Sequence, residues 1–128
     1  MALAEAITNQ CGVKHDALNK ISFSANWMSS TKTADEKGDL VRGVQALANM
    51  ADTLNVSIPV GKDSLSMKVN WNKNESEHTV TSPMTLNISS FSNVQDLNKS
   101  VTPELSTSDS TLLHLWAHTD KYLSLIHI

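Results

Sequence analysis

A lysine, an aspartate and a serine follow a glycine in the segment GKDS, residues 61–64, which raises the question of a phosphate-binding loop. A P-loop requires the pattern G-x-x-x-x-G-K-[ST], with its first glycine five residues before the second. Val56 occupies that earlier position, and Asp63 stands where the pattern requires a hydroxyl. A carboxylate at that position would repel phosphate, so the Walker motif is excluded. Taken alone, GKDS is typical of a solvent-exposed turn between two strands.

Two other groups of potential ligands have helical spacing. Glu5 and Asn9 are four residues apart, so at about 100° per residue their side chains share one face of a helix. Their hard oxygens are of the type that Mg²⁺ takes, usually beside waters and nucleotide phosphates, although polar pairs of this spacing also line most solvent-facing helices. His114 and His118 are four apart as well, with Asp120 after them, but no third ligand has zinc-motif spacing. We interpret that last group as a coincidence in an irregular tail.

The segment that carries Glu5 and Asn9 is predicted to be a helix. Leu3, Ile7 and Cys11 recur every four residues and form one apolar stripe on the face opposite the polar pair. Cys11 is therefore expected to be a buried, inert thiol rather than a nucleophile.

A strand and a second helix are predicted next. In KISFSANWM, residues 20–28, apolar side chains alternate with serine and asparagine, which is typical of a strand with one buried face. Thr33 and Glu36 fit a capping box, and the helix that they begin is expected to end at about Leu54. Its core-facing stripe is spaced by fours and threes and consists of Leu40, Val44, Leu47, Ala51 and Leu54.

The second half of the chain reads mainly as strands. VSIPV, residues 56–60, is predicted to be a strand in which Pro59 belongs at an edge or an end. SLSMKVNW (64–71) and HTVTSPMTLNISSF (78–91) alternate in polarity, and they predict an antiparallel hairpin with one buried face, joined by a turn at NKNES. TLLHLW (111–116) is a further strand candidate. The fold class predicted is α/β (α+β), with helices packed on a mostly antiparallel sheet.

Composition limits the class of protein. A chain of 128 residues suits one domain, and 40% hydrophobic with 18% charged residues indicates a globular protein. A net charge of −3 without a long basic run argues against nucleic-acid binding. No apolar run is long enough to cross a membrane, and no basic region opens the N-terminus as in a signal peptide. The single cysteine excludes an internal disulfide and suits a reducing cytosol, so a cytoplasmic location is expected.

Five segments in order give the chain a family resemblance: AEAITN, SANWM, IPVGKDSLSMK, SPMTLNISSF and VTPELST. Together they resemble the synthetase region of phosphoribosylformylglycinamidine synthases, over about residues 2–109. That region is built from two copies of the aminoimidazole-ribonucleotide-synthetase fold, and the chain resembles the N-terminal unit of the second copy. The resemblance implies a partial domain over 1–116 and a non-family tail over 117–128, disordered or artefactual, in a sequence truncated at both ends.

The resemblance also implies an activity. Enzymes of this family are ligases that convert formylglycinamide ribonucleotide, glutamine and ATP into formylglycinamidine ribonucleotide during purine biosynthesis, and a separate glutamine amidotransferase domain supplies ammonia. Glu5 and Asn9 match the family's Mg²⁺ ligands, and the remaining ligands would be aspartates outside this stretch. Lys62, Asp63 and Ser64 match a loop that faces the nucleotide and substrate clefts, so they are candidates for binding ATP or ADP. Lys62 would neutralise phosphate, and Asp63 would orient Lys62 or a metal-bound water.

The resemblance has limits. The family's HPGEDA corresponds to TADEKG here, with only Glu36 retained, so that loop is expected to lose some of its contacts. The expected partners are nucleotide substrates, the other synthetase half and the glutaminase domain, and the chain alone is expected to be inactive. Two alternatives remain open. One is a different enzyme of the same fold, such as a selenophosphate synthetase, against which SANWM and IPVGKDS argue. The other is a non-catalytic interaction module whose exposed strands pair with a partner.

Overall fold

The computed structural model describes residues 1–105, 109–111 and 113. Within these residues, two α-helices and five strands follow one another, with short 3₁₀ turns between some of them. Their bounds are α1 Ala2–Asn9, β1 Ser22–Met28, α2 Ala34–Leu54, β2 Ser57–Ser64, β3 Lys68–Lys73, β4 Ser76–Thr81 and β5 Thr85–Phe91. The histidine pair with Asp120, and the tail over 117–128, lie outside the described residues, as does most of the strand predicted over 111–116.

The main sheet has three strands in the order β2-β1-β5. β1 pairs in parallel with β2 and antiparallel with β5, while β3 and β4 form a separate antiparallel pair. Two of the three pairings are therefore antiparallel, and the predicted fold class is confirmed. In the part of the chain that the structure describes, no helix is long and apolar enough to cross a membrane.

Both helices pack on one face of the main sheet, as the apolar stripes predict, but Val44 of the α2 stripe is 46% exposed, so its assignment to the core face is wrong. The core lies against the second half of α2, from Leu47 onward. Phe23 and Ala25 of β1 are buried, while the alternate residues of the strand point to the other face. Leu3 and Ala6 of α1 and Ala51 of α2 complete the buried contacts, and further apolar residues are packed against them. These are Ile7, Leu18, Leu47, Met50, Leu54, Ile58 and Ile88.

The face of α1 that carries Glu5 and Asn9 is exposed, as predicted, but the helix is shorter than the periodicity suggests. It ends at Asn9, and residues Gln10–Gly12 form a 3₁₀ turn. A 3₁₀ turn advances by about 120° per residue rather than 100°, so position 11 leaves the apolar stripe. Cys11 is consequently exposed, and the prediction of a buried thiol is wrong.

The second helix begins with the predicted capping box. The Thr33 hydroxyl accepts a hydrogen bond from the Glu36 N–H (3.2 Å), and the Glu36 carboxylate accepts one from the Thr33 N–H (2.9 Å). The Lys32 N–H (2.8 Å) and the buried Ser30 hydroxyl (3.0 Å) donate to the same carboxylate oxygen. These bonds, that from Thr33 above all, stabilise the charged form and lower the pKa of Glu36 from 4.5 to about 2. The segment TADEKG is thus the start of α2 rather than a loop, and Glu36, its one retained residue, makes the bonds that hold it.

The segment GKDS is a strand rather than the predicted turn. It forms the end of β2, where Lys62, Asp63 and Ser64 pair with Asn26, Trp27 and Met28 of β1. Parallel pairing along this whole segment outweighs its polar composition, because the ladder satisfies backbone groups whatever the side chains are. The register shifts by one residue between the pairs Ser22–Ser57 and Ser24–Val60, which places a bulge at Ile58 and Pro59. Pro59 thus lies in an edge strand, as predicted, and at the bulge.

The predicted hairpin forms only in part. Val69 pairs with Val80, and the chain turns at Asn74 and Glu75, both of which have positive φ. The second predicted strand, however, is interrupted between Thr81 and Thr85, and its later half, β5, joins β1 instead. Every residue of β3 and β4 is exposed, so the expectation of a buried face is wrong here. The reason is that these two strands pair only with each other among the described residues and contribute no residue to the buried core beneath the three-stranded sheet.

Candidate functional site

Glu5 and Asn9 line an open groove of about 460 Å³ between α1 and β5. The opposite wall consists of four consecutive residues, Thr85 to Ile88, and Met28 also contributes. Consecutive residues of a strand point to opposite faces of a sheet, so a cavity that all four line must run along the strand's edge. β5 is an edge strand in the described sheet. The groove therefore combines an exposed polar helix face with a strand edge that carries Thr85 and Asn87.

A network of side-chain hydrogen bonds holds α1 against β5. The Gln10 amide donates to the Ser90 hydroxyl (2.8 Å) and to the Ser90 carbonyl (3.3 Å), and it accepts from the Ser92 hydroxyl (2.7 Å). The Ser90 hydroxyl donates in turn to the carbonyl of Ala6 in α1 (3.2 Å). All of these bonds are partly buried. Together with the burial of Leu3 and Ala6, they fix the position of the helix that carries Glu5 and Asn9.

Lys62 lies on a second polar surface, on the sheet face opposite Phe23 and Ala25. Its ammonium group donates to the Asn26 side-chain oxygen and to the Ser64 hydroxyl, both at 3.4 Å. Asn26 pairs with Lys62 on one side and with Asn87 on the other. We call Lys62, Asn26 and Asn87 the cross-strand row. Asn87 also lines the groove at the edge of β5, but the side chains of the row point to the sheet face opposite the one on which α1 packs.

Asp63 does not share this surface. It neighbours Lys62 on a regular strand segment, so its side chain points to the opposite face, beside Trp27. The recorded partners of the Lys62 ammonium are Asn26 and Ser64. This strand geometry argues against a role of Asp63 in orienting Lys62, which stays a prediction, because the strand separates the two side chains.

The donors at α1 fit a magnesium ion chemically. Glu5 offers carboxylate oxygens and Asn9 an amide oxygen, both are exposed, and both face the same groove. Mg²⁺ usually keeps several waters and takes one or two protein oxygens together with phosphates. Within residues 1–105, 109–111 and 113, no group of three or more His, Cys, Asp or Glu side chains could hold a metal ion. Glu5 and Asn9 are thus a partial set, of the kind that water or phosphate oxygens complete.

Three residues of this region were not singled out in the sequence. Gln10 directly follows Asn9, and nothing in its spacing indicates that its side chain joins α1 to β5 by hydrogen bonds. Asn26 and Asn87 occupy the polar positions of alternating strands, which marks them as pointing away from the core. Their meeting depends on the register between β1 and β5, which alternation alone does not give.

One comparison with known families bears on this geometry. A family model described as FGAR-AT PurM_N-like domain matches residues 1–93. The match includes both helices, all five strands, the groove and the cross-strand row.

Proposed function

The chain belongs to the FGAR-AT PurM_N-like domain family and is related to formylglycinamidine ribonucleotide synthetases, and from this premise we propose that it contributes a Mg²⁺–nucleotide site to such a ligase. The parent reaction would be the ATP- and glutamine-dependent amidation of formylglycinamide ribonucleotide in the cytoplasm. The other synthetase half and the glutaminase domain would be its partners. The chain alone is expected to be inactive.

The observation that supports this proposal best is the groove itself. Glu5 and Asn9 extend from α1 into the same open space, while Leu3 and Ala6 hold the other side of the helix in the core. In the proposed site these two side chains hold Mg²⁺, which offsets the negative charge of the nucleotide phosphates. Lys62 contributes positive charge and Ser64 a hydroxyl on the sheet face. Asp63 points to the other side of the sheet, so any contact that it makes with a cofactor would be separate from theirs.

A titration of the 128-residue chain with Mg²⁺–ADP by isothermal calorimetry tests the proposal. Glu5→Ala removes the only carboxylate that lines the groove among the described residues, and we expect it to weaken binding at least tenfold, because a hydrogen-bonded or coordinated charge normally contributes more than about 1.4 kcal/mol. Glu77→Ala is the matched control, since it removes an exposed carboxylate from β4, outside the groove. Equal affinities for the wild type, Glu5→Ala and Glu77→Ala, or no binding by the wild type, would refute the site.

A role in protein association has an observation of its own in its favour. Val69 of β3 and Val80 of β4 share one exposed surface with Met67, which directly precedes β3. Soluble monomers rarely leave a contiguous apolar surface of this kind uncovered unless it contacts a partner. The surface is distinct from the groove, so an interaction function does not compete with nucleotide binding.

A further inference from the structure

The open face of the main sheet, which is the face opposite the helices, carries a single charged side chain. Alternate residues of β1, β2 and β5 point to this face, and most of them are serine, asparagine or threonine. Lys62 and Asp63 are the only charged residues in the three strands, and Asp63 points to the helix side. The three strands therefore present one positive charge and no carboxylate on their open face.

The Lys62 ammonium is held only weakly within the chain. The Asn26 side-chain oxygen and the Ser64 hydroxyl each accept from it at 3.4 Å, whereas a well-formed hydrogen bond from nitrogen to oxygen measures roughly 2.7–3.2 Å. Lys62 takes part in neither of the two ion pairs that the described residues form. An ammonium group donates up to three hydrogen bonds, so Lys62 can donate to an anion that lies on this face.

The cross-strand row places neutral amides beside this charge. The Asn26 oxygen accepts from Lys62, so the N–H₂ group at the other end of the same planar amide is directed away from the lysine, toward the β5 side. Asn87 lies directly opposite Asn26 on β5, and the Cβ atoms of such a pair are about 5 Å apart. Across three strands the row thus offers a cation, an N–H₂ donor and a second amide that both donates and accepts.

We propose that this face of the sheet binds a phosphate monoester of a sugar without a metal ion, with the phosphate held by Lys62 and Asn26 and a sugar hydroxyl at Asn87. This ligand goes beyond the proposed function, because it is a second molecule on the sheet face opposite the one on which α1 packs. An ammonium makes short, strong hydrogen bonds to phosphate oxygens. A neutral amide matches a sugar hydroxyl, since both groups donate and accept.

The experiment titrates the 128-residue chain with ribose 5-phosphate by calorimetry, with EDTA present to remove divalent ions. Lys62→Met removes the charge and keeps a side chain of similar length. Lys68→Met is the matched control, since Lys68 is an exposed lysine of β3, outside the main sheet. We expect Lys62→Met to bind roughly 10- to 100-fold more weakly, because a hydrogen bond to a charged group is lost, and Lys68→Met to bind as the wild type does.

A second variant, Asn26→Asp, tests the row without changing the size of a side chain. It puts a carboxylate beside both the Lys62 ammonium and the phosphate, so we expect binding to weaken at least tenfold. Asn70→Asp is its control: the Asn70 side-chain oxygen also accepts a hydrogen bond, from the Thr79 hydroxyl at 3.0 Å, but lies in the separate hairpin. Melting temperatures of Lys62→Met and Lys68→Met should equal that of the wild type, which separates loss of a ligand contact from loss of the fold.

Two further titrations identify the ligand and its place. We expect inorganic phosphate to bind about two- to tenfold more weakly than ribose 5-phosphate, the effect of losing one neutral hydrogen bond to the sugar. Saturation with Mg²⁺–ADP should leave the affinity for ribose 5-phosphate unchanged, because the two ligands occupy opposite faces of the sheet. Equal affinities for the two phosphates would refute the sugar assignment, and competition by Mg²⁺–ADP would refute the separate site.

The remaining outcomes distinguish this proposal from the proposed function. An affinity for ribose 5-phosphate that is the same in Lys62→Met and the wild type would overturn the role of the row. A wild type that binds Mg²⁺–ADP but not ribose 5-phosphate would refute the sugar-phosphate site alone. A wild type that binds ribose 5-phosphate but not Mg²⁺–ADP would refute the proposed function and leave the sugar-phosphate site supported.

Discussion

Gln10 should be a disproportionately important side chain for its size, because its amide joins the end of α1 to β5. We consider the replacement Gln10→Ala. It removes the bond to the Ser90 hydroxyl (2.8 Å), the longer bond to the Ser90 carbonyl (3.3 Å) and the acceptor for the Ser92 hydroxyl (2.7 Å). The Ser90 hydroxyl keeps its bond to Ala6, so the backbone of α1 retains one direct connection to the strand.

The magnitude follows from the two short bonds. A hydrogen bond within a protein contributes a net 0.5–1.5 kcal/mol or so, which gives about 1–3 kcal/mol for the pair. The site is only partly buried, so water can reach the serine hydroxyls that lose their partner. We therefore expect the lower part of this range, about 1–2 kcal/mol of the free energy of unfolding. With a urea m-value of about 1–2 kcal/mol/M for a domain of this size, the midpoint should fall by roughly 1 M.

Urea unfolding followed by far-ultraviolet circular dichroism measures this change. Gln45→Ala is the matched control, because it removes an exposed glutamine from α2 for which the described chain shows no side-chain hydrogen bond. A double-mutant cycle between Gln10→Ala and Ser92→Ala should give a coupling energy of about 1 kcal/mol. If Gln10→Ala lowers stability no more than Gln45→Ala does, α1 is held by the burial of Leu3 and Ala6 alone, and our account of the network is wrong.

Two further predictions concern the capping box and the hairpin. The pKa of Glu36 is lowered to about 2, so its carboxylate stabilises the fold fully above pH 4.5, and this contribution disappears as the pH falls from 4.5 to 2. Glu36→Gln should be less stable than the wild type at pH 7, and thermal melts at a series of pH values should show that it loses less stability between pH 4.5 and 2. Asp35→Asn is the control. If Glu36→Gln and the wild type lose stability equally over this range, the assignment is wrong. For the hairpin, Val69 and Val80 are 64% and 57% exposed as a cross-strand pair, so the chain should self-associate at tens of micromolar. The double replacement by threonine should reduce the mass seen by light scattering while Thr79→Ala, on the other hairpin face, leaves it unchanged; a wild type that is monomeric throughout would refute this.

The parts of the fold that were predictable are those whose sequence pattern reports burial directly. α2 begins at the capping box and ends at Leu54 as expected, because Thr33, Glu36 and the apolar stripe are local signals. β1 was predictable because Phe23 and Ala25 alternate with polar residues. The opposed faces of α1 follow in the same way, whereas the position of Cys11 does not, since the change from an α-helix to a 3₁₀ turn leaves no mark on the apolar spacing.

The errors arise where pairing between distant segments decides the structure. GKDS contains no strand-forming pattern, yet parallel pairing with β1 extends β2 through all four residues. The run from His78 to Phe91 contains one alternating pattern, but its halves join different sheets on either side of Pro83. Composition could not distinguish the hairpin's exposed apolar face from a buried one, because the pattern is the same whether or not another element covers it.

The positions of the candidate site residues also depend on strand pairing, and the bulge of β2 is the clearest case. Without the extra residue between Ser57 and Val60, the register from Ser22 would set Gly61 opposite Asn26 and Asp63 opposite Met28. A shift of one residue moves each side chain to the other face of the sheet. Asp63 rather than Lys62 would then lie on the face of Asn26 and Asn87, and a surface suited to phosphate would become repulsive to it. The bulge at Ile58 and Pro59 therefore determines the charge of the cross-strand row.

The core determines which face that row occupies. Phe23 and Ala25 are fixed toward the helices by burial, so Ser24 and Asn26 must point to the other side. The antiparallel register with β5 then places Asn87 next to Asn26, and the bulged parallel register with β2 places Lys62 on its other flank. Any change that lets β1 slip would expose the apolar residues and turn Asn26 inward at the same time. The register of β1 therefore determines both the burial of its apolar residues and the position of the polar row that would receive phosphate. A rearrangement of that row would require β1 to shift, which would destabilise the core.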